Sequence, residues 1–240
     1  MSDYLLMVLE DEAAHATESP KAVAELIDRR AKFADGLRRT GAFRDGGRLR
    51  PSKEGTRVHR ARGELTVRSG PFGGEPRALA GWYWVDAPNT SEAARIAEAC
   101  PVLAADEVQV RPIMKGRLVG DKDARPGKVV ACAVLGSAPT EEAWVHVMER
   151  IDRANHSFPS GVFLGGVRLE PPTKGARVAA RSDAPSEHRA MFDGPFLESK
   201  EVIGGLCFVR VTSMEEAARW AATTDFVVHG TLELRELWRT

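Results

Sequence analysis

The sequence predicts an α+β protein in which two tandem copies of one strand-and-helix unit fold back on each other, and three observations carry that prediction. A Gly-Pro-Phe turn feeding an apolar strand occurs twice: Ser69-Gly70-Pro71-Phe72 runs into residues 79–85, and Asp193-Gly194-Pro195-Phe196 runs into residues 203–211. The copies keep register, since Gly70, Gly81, Val85 and Glu92-Ala93-Ala94-Arg95 meet Gly194, Gly205, Val209 and Glu216-Ala217-Ala218-Arg219 at one constant offset of 124 residues, closed by Arg111 and Arg235. Self-similarity over such a span marks a repeat architecture. Upstream the offset is 120: Gly41, Phe43, Gly46, Arg48 and Pro51 pair with Gly161, Phe163, Gly166, Arg168 and Pro171, and Gly55 with Gly175. A longer polar connection between Val178 and Phe192 absorbs the difference, as a surface hairpin tip does.

Taken in order, residues 4–9 read as a short buried strand and residues 11–18 as a polar connection containing His15. Ser19-Pro20 suits a helix start, with Ser as N-cap and Pro at the first helical position. The helix runs to about Thr40 and stops at Gly41. Val23, Leu26, Ile27, Phe33, Ala34 and Leu37 form one helical face, and Arg30 falls in the middle of it. Residues 42–49 are an extended strand, and residues 56–61 and 64–68 a hairpin about Arg62-Gly63. After the Gly-Pro-Phe turn comes the aromatic strand 79–85. Asn89 and Glu92 have capping-box spacing ahead of a helix through Cys100, and Ser213 with Glu216 repeats the device. Residues 108–114 make a last strand, with Pro112 suggesting an edge or a strand end.

The second copy repeats this order, with strands 129–135, 161–169, 203–211 and 231–238, a hairpin over 176–192, and helices 140–157 and 214–222. Each half is thus a ferredoxin-like pattern with an added hairpin. Residues 1–118 form the first repeat, 119–127 a polar linker and 128–240 the second repeat. A four-stranded sheet with both helices on one face leaves its other face to be covered. Two related sheets in one chain satisfy that need as a barrel-like sandwich with an internal cavity. Trp82 and Trp84 point to one side of their strand and Tyr83 to the other, so the two Trp side chains are candidates to line the cavity as well as to fill the core.

Lys plus Arg equals Asp plus Glu, 34 of each, which provides no field to draw in nucleic acid or anionic lipid. The apolar run at residues 4–9 is too short for a signal sequence or a membrane span, so a cytoplasmic protein is expected. Cys100, Cys132 and Cys207 are widely separated and flanked by apolar residues, reading as buried free thiols. The 6 His show no ligand spacing, so no metal is expected. Neither a phosphate-cradling Gly-rich loop nor a nucleophile elbow appears, and no cofactor is implied.

The stretch Asp193-Gly194-Pro195-Phe196-x-Glu198-x-Lys200-Glu201-x-x-Gly204-Gly205, with Glu216-Ala217-Ala218 and His229-Gly230-x-x-Glu233-Leu234-Arg235 after it, resembles the DGPF branch of the YCII-related family. The first half resembles it through Gly70-Pro71-Phe72, Gly81, Glu92-Ala93-Ala94 and Val108-Gln109-Val110-Arg111-Pro112. The resemblance implies a dimeric α+β barrel, here formed within one chain. It also implies kinship with lyases, isomerases, dehalogenating enzymes, monooxygenases, haem proteins and proteins associated with sigma factors. Enzymatic relatives look as though they use a His on the first helix with an Asp. The matching positions here are Arg30 and, at offset 120, Arg150.

Asp193 is a candidate general acid or base if a cavity desolvates it, or an acceptor for backbone N–H groups in its turn. Ser69 takes its place in the first copy. His146, one helical turn before Arg150, is the candidate helper. Arg150 and Arg30 are candidate anion holders, because a guanidinium on an apolar stripe needs a carboxylate of the protein or an anionic ligand. Glu198 and Lys200 are candidate polar contacts to a ligand, or a solvated turn. The expected partner is a small organic molecule, acted on by cofactor-independent elimination, isomerisation or cyclisation. The alternative is a non-catalytic ligand sensor with a protein partner such as a sigma factor, and haem binding ranks third. As a particle the fused barrel would be a monomer or a homodimer.

Overall fold

A computed structural model describes residues 2–72, 77–117, 127–136, 162–180, 189–193, 202–224 and 226–238. The first half gives β1 (Ser2–Glu10), α1 (Glu12–Thr17), α2 (Pro20–Arg39), β2 (Phe43–Arg48) and the hairpin β3 (Thr56–Ala61) and β4 (Glu64–Ser69). It continues with β5 (Ala78–Ala87), α3 (Thr90–Glu98) and β6 (Glu107–Arg117). The second half gives β7 (Lys128–Gly136), β8 (Phe163–Leu169), β9 (Ala176–Ala180), β10 (Arg189–Asp193) and β11 (Val202–Val211). It ends with α4 (Met214–Ala222), α5 (Phe226–His229) and β12 (Thr231–Glu236). The protein is therefore mostly antiparallel sheet with a few helices. Among the described residues no helix is long and apolar enough to cross a membrane. The helix expected over 140–157 lies outside the described residues.

The chain divides into two compact units that cut across its two halves. The first unit takes β1, α1, α2, β2, β5, α3 and β6 as far as Ile113, and completes them with β9 and β10 from the second half. Its strands run β2-β5-β1-β6, with β9 paired to the far side of β6 and β10 to β9. On the helix side, Tyr4, Leu6, Val8, Val85, Val108 and Val110 pack with Leu37 of α2 and with Ala93, Ala94 and Ala97 of α3. Ala176 and Val178 of β9 belong to this same core and are fully buried. The small side chains of α3 let it sit close to the sheet. The opposite face carries Leu5, Met7, Trp82 and Trp84, which are buried as well.

The second unit holds β7, β8, β11, α4, α5 and β12, and receives β3 and β4 from the first half. Its order is β8-β11-β7-β12-β3-β4. Helices α4 and α5 pack on β3 and β12, over the fully buried Val58, Leu232 and Leu234. The two units make the same close approach. In the second, a Cβ on Gly55 would meet Arg235 Cδ at 2.6 Å, and in the first a Cβ on Gly175 would meet Arg111 Cδ at 2.7 Å.

Local signals account for the element ends. Ser19 Oγ accepts the Ala22 N–H at the start of α2, and Gly41 beyond its end adopts φ +75°, the conformation that favours glycine. Asn89 and Ser213 cap α3 and α4 through the N–H groups of Glu92 and Glu216. Two expectations differ. Residues 12–17 form a helix rather than a connection, because Asp11 caps Ala13 and Ala14; with no buried residue, that helix has no apolar period to betray it. Strand β6 runs past Pro112, the last of its residues in register with β1.

Candidate functional site

In the first unit β1 ends at Glu10 and the chain turns at once into α1, since Asp11 Oδ1 accepts the N–H groups of Ala13 and Ala14, each at 3.0 Å. One turn of helix brings His15 back beside the strand end, its Nδ1 3.9 Å from Glu10 Oε2. Asp106 faces it from just before β6, with none of its side chain exposed. Asp106 Oδ1 accepts the Asp11 N–H at 3.1 Å and Oδ2 the Leu103 N–H at 2.8 Å. Both oxygens also contact His15 Nε2, at 3.0 and 2.9 Å. An ionised carboxylate only accepts, so the ring donates from Nε2 to Asp106 and turns Nδ1 toward Glu10.

Two guanidinium groups complete the cluster. Arg30 Nη1 donates to Glu10 Oε1 and Arg30 Nε to the Pro101 carbonyl at 2.9 Å. Its Nη2 is buried and makes no hydrogen bond among the described residues. A buried donor left unpaired costs about 1–3 kcal/mol. Burial lowers the pKa of the Arg48 guanidinium, Glu10 opposes that and Arg30 adds to it. Burial, with Cys100 adding to it, pushes the Tyr83 phenol well above its ordinary value, against the opposing pull of Arg30 and Arg38. The Tyr83 ring meets Phe33 of α2 edge-on at 5.1 Å.

The gap between Nδ1 and Glu10 Oε2 is too long for a hydrogen bond. It is short enough for one polar atom to reach both at about 2.8 Å. The base, the carboxylate facing it and two cations together suit proton transfer at an acidic position of an organic anion. The donor atoms of Glu10, His15 and Asp106 all lie within 4.8 Å of one another, a spread a metal ion could bridge. Asp106 nevertheless has both oxygens engaged by N–H donors, which fits a hydrogen-bonded dyad better.

Of the residues singled out from sequence, Arg30 belongs to this cluster. Trp82 and Trp84 lie on the other face of β5 from Tyr83, both buried, and Trp84 Nε1 has no hydrogen-bond partner among the described residues. A Cβ on Gly47 would strike the Trp82 ring at 2.4 Å, so that ring fills the space beside the glycine. Asp193 ends β10, opposite Ala176 in the first unit. His146, Arg150, Glu198 and Lys200 lie outside the described residues. Sequence reasoning did not single out His15, Asp106 and Glu10 as a site. The available signal was polar residues at the two ends of neighbouring buried strands, Glu10 closing β1 and Asp106 preceding β6.

Residues 4–117 and 138–240 each match the model of the YCII-related domain. No curated protein matches the chain. Among solved structures, one described as a crystal structure study of an anthrone oxidase-like protein aligns with 99% of this chain and 92% of its own. Its TM-score is 0.39 at 9% sequence identity, a likeness that supports no inference about fold or chemistry here.

Proposed function

Since this chain belongs to the YCII-related family through both of its halves, we propose that it binds a small organic anion at the Arg30 cluster and moves a proton with His15. We read each half as a ferredoxin-like repeat: the strand orders β2-β5-β1-β6 and β8-β11-β7-β12 are the same when strands are counted along each half. The observation that carries the chemical reading is the pair His15 and Asp106, which holds the ring with Nδ1 turned toward the Glu10 carboxylate. In this reading Arg30 Nη2 receives the anionic group of the ligand and Arg48 adds positive field. His15 Nδ1 takes a proton from an acidic C–H or O–H, and the resulting imidazolium is stabilised between Asp106 and Glu10. That proton then returns to another atom of the same molecule, or leaves with a departing group. This gives isomerisation, cyclisation or elimination without a bound cofactor.

The test is deuterium exchange from heavy water into a panel of small carboxylic acids, followed by proton NMR. Exchange catalysed by the native protein and lost in His15→Gln supports the reading. Exchange unchanged in His15→Gln removes it. A non-catalytic ligand sensor is the second reading, favoured by the direct Glu10–Arg30 ion pair, which draws one oxygen of Glu10 away from His15. Saturable binding of an acid from the panel, with no exchange in any of them, would select it.

A further inference from the structure

We propose that β4 is a self-pairing sheet edge through which two copies of this chain associate. It ends the strand order of the second unit, pairs with β3 on one side only among the described residues, and exposes all six of its residues. An open, regular edge of this kind offers its backbone groups to another strand.

The register of such a pairing follows from the hairpin. Arg62 and Gly63 have φ of 50° and 85°, a tight two-residue turn of the primed type, which makes Ala61 and Glu64 the first hydrogen-bonded pair. Alternation then gives His59–Thr66 and Arg57–Arg68 as the next hydrogen-bonded pairs, and the Gly70 N–H to Gly55 carbonyl bond at 3.0 Å keeps the same parity. The N–H and C=O groups of Leu65 and Val67 therefore point away from β3. The Leu65 and Val67 side chains are 37% and 52% exposed, on the face where Val58 is covered by α4 and α5.

Antiparallel pairing of β4 with its own copy about Thr66 is self-complementary. Leu65 faces Val67 of the second copy and exchanges both backbone hydrogen bonds with it, and the twofold axis repeats that pair. Glu64 falls opposite Arg68 of the second copy in a pair without backbone hydrogen bonds, where side chains approach more closely. Within its own hairpin Arg68 lies opposite Arg57, which is itself paired with Glu233, so the hairpin neighbour offers Arg68 no counter-charge and the second copy supplies one. The chain carries no net charge to keep copies apart. Shifting the register by two residues either way separates Glu64 from Arg68 and forfeits the ion pairs.

Sedimentation equilibrium of the full chain tests this. The expected mass rises with concentration from 26.2 kDa toward twice that value. Arg68→Glu, which sets two carboxylates together at each end of the pairing, weakens association about tenfold. The swap Glu64→Arg with Arg68→Glu restores it, and Val67→Pro, which removes an outward N–H, abolishes it. Thr66→Cys should link two chains on mild oxidation, because Cys100, Cys132 and Cys207 are all buried. A native chain that stays at 26.2 kDa overturns the proposal. So does association that Arg68→Glu leaves unchanged, that the double swap fails to recover, or that Thr66→Cys does not trap.

Discussion

Gly175 lies against Arg111 so closely that a Cβ there would stand 2.7 Å from Arg111 Cδ and 2.5 Å from the Val110 carbonyl oxygen. Arg111 is fully buried and Val110 is a strand residue of β6, so neither yields without disturbing the sheet. Gly175→Ala should cost about 1–3 kcal/mol, the usual range for overpacking. Gly55→Ala, facing Arg235 at 2.6 Å and the Leu234 carbonyl at 3.0 Å, should cost a similar amount. Urea unfolding midpoints of the two variants would check both values.

Asp106 satisfies two backbone N–H groups besides His15. Asp106→Ala strands those donors in the interior and should lose about 2–3 kcal/mol. His15→Gln removes no acceptor from the backbone and should lose less than about 1 kcal/mol. Stability measured beside the deuterium-exchange rate would therefore separate the two roles: His15→Gln stops exchange in a protein that still folds.

Burial raises the pKa of the Tyr83 phenol. Below the ordinary phenol value of about 10 both folded and unfolded chains hold the proton, and folding gains or loses nothing. Above it the unfolded chain releases a proton that the folded one keeps, so stability falls as pH rises from there toward the folded value. Tyr83→Phe should show a shallower loss between about pH 10 and 11 than the native chain. Equal slopes in paired urea titrations would contradict this.

The caps of α3 and α4 are one device used twice, Asn89 to the Glu92 N–H at 2.9 Å and Ser213 to the Glu216 N–H at 3.1 Å. Asn89→Ala and Ser213→Ala should each cost about 1 kcal/mol. Glu216 adds to the second cap by accepting from the Thr212 hydroxyl and backbone N–H, which hold its carboxyl below the usual value. That contribution is present at neutral pH and is lost as pH falls through the lowered value. The thermal penalty of Glu216→Gln should therefore shrink in acid.

Most element boundaries were legible because caps, glycines and apolar periods are local: Ser19, Gly41, Asn89, Arg62-Gly63 and Ser213 mark ends that the structure reproduces. The demand of Arg30 for a partner was legible too, because a guanidinium on an apolar stripe must be answered, and Glu10 and the Pro101 carbonyl answer it. His15 and Asp106 were not. They stand 91 residues apart, neither belongs to the repeated motif, and α1 is too short to show a period. The destination of the hairpins was equally hidden. The two copies offer β6 and β12 as equivalent edges, and nothing local to β3 or β9 says which one it will join.

That choice matters to assembly. Neither half, freed at the 119–127 segment, would carry its own full set of strands: the first would lack Ala176 and Val178 beneath α3, and the second would lack Val58 beneath α4. On the ribosome, the first half must then wait for residues synthesised far behind it, and an interrupted chain has no finished part to leave behind. A gene split at that point should yield two fragments that become protease-resistant only when they are made together.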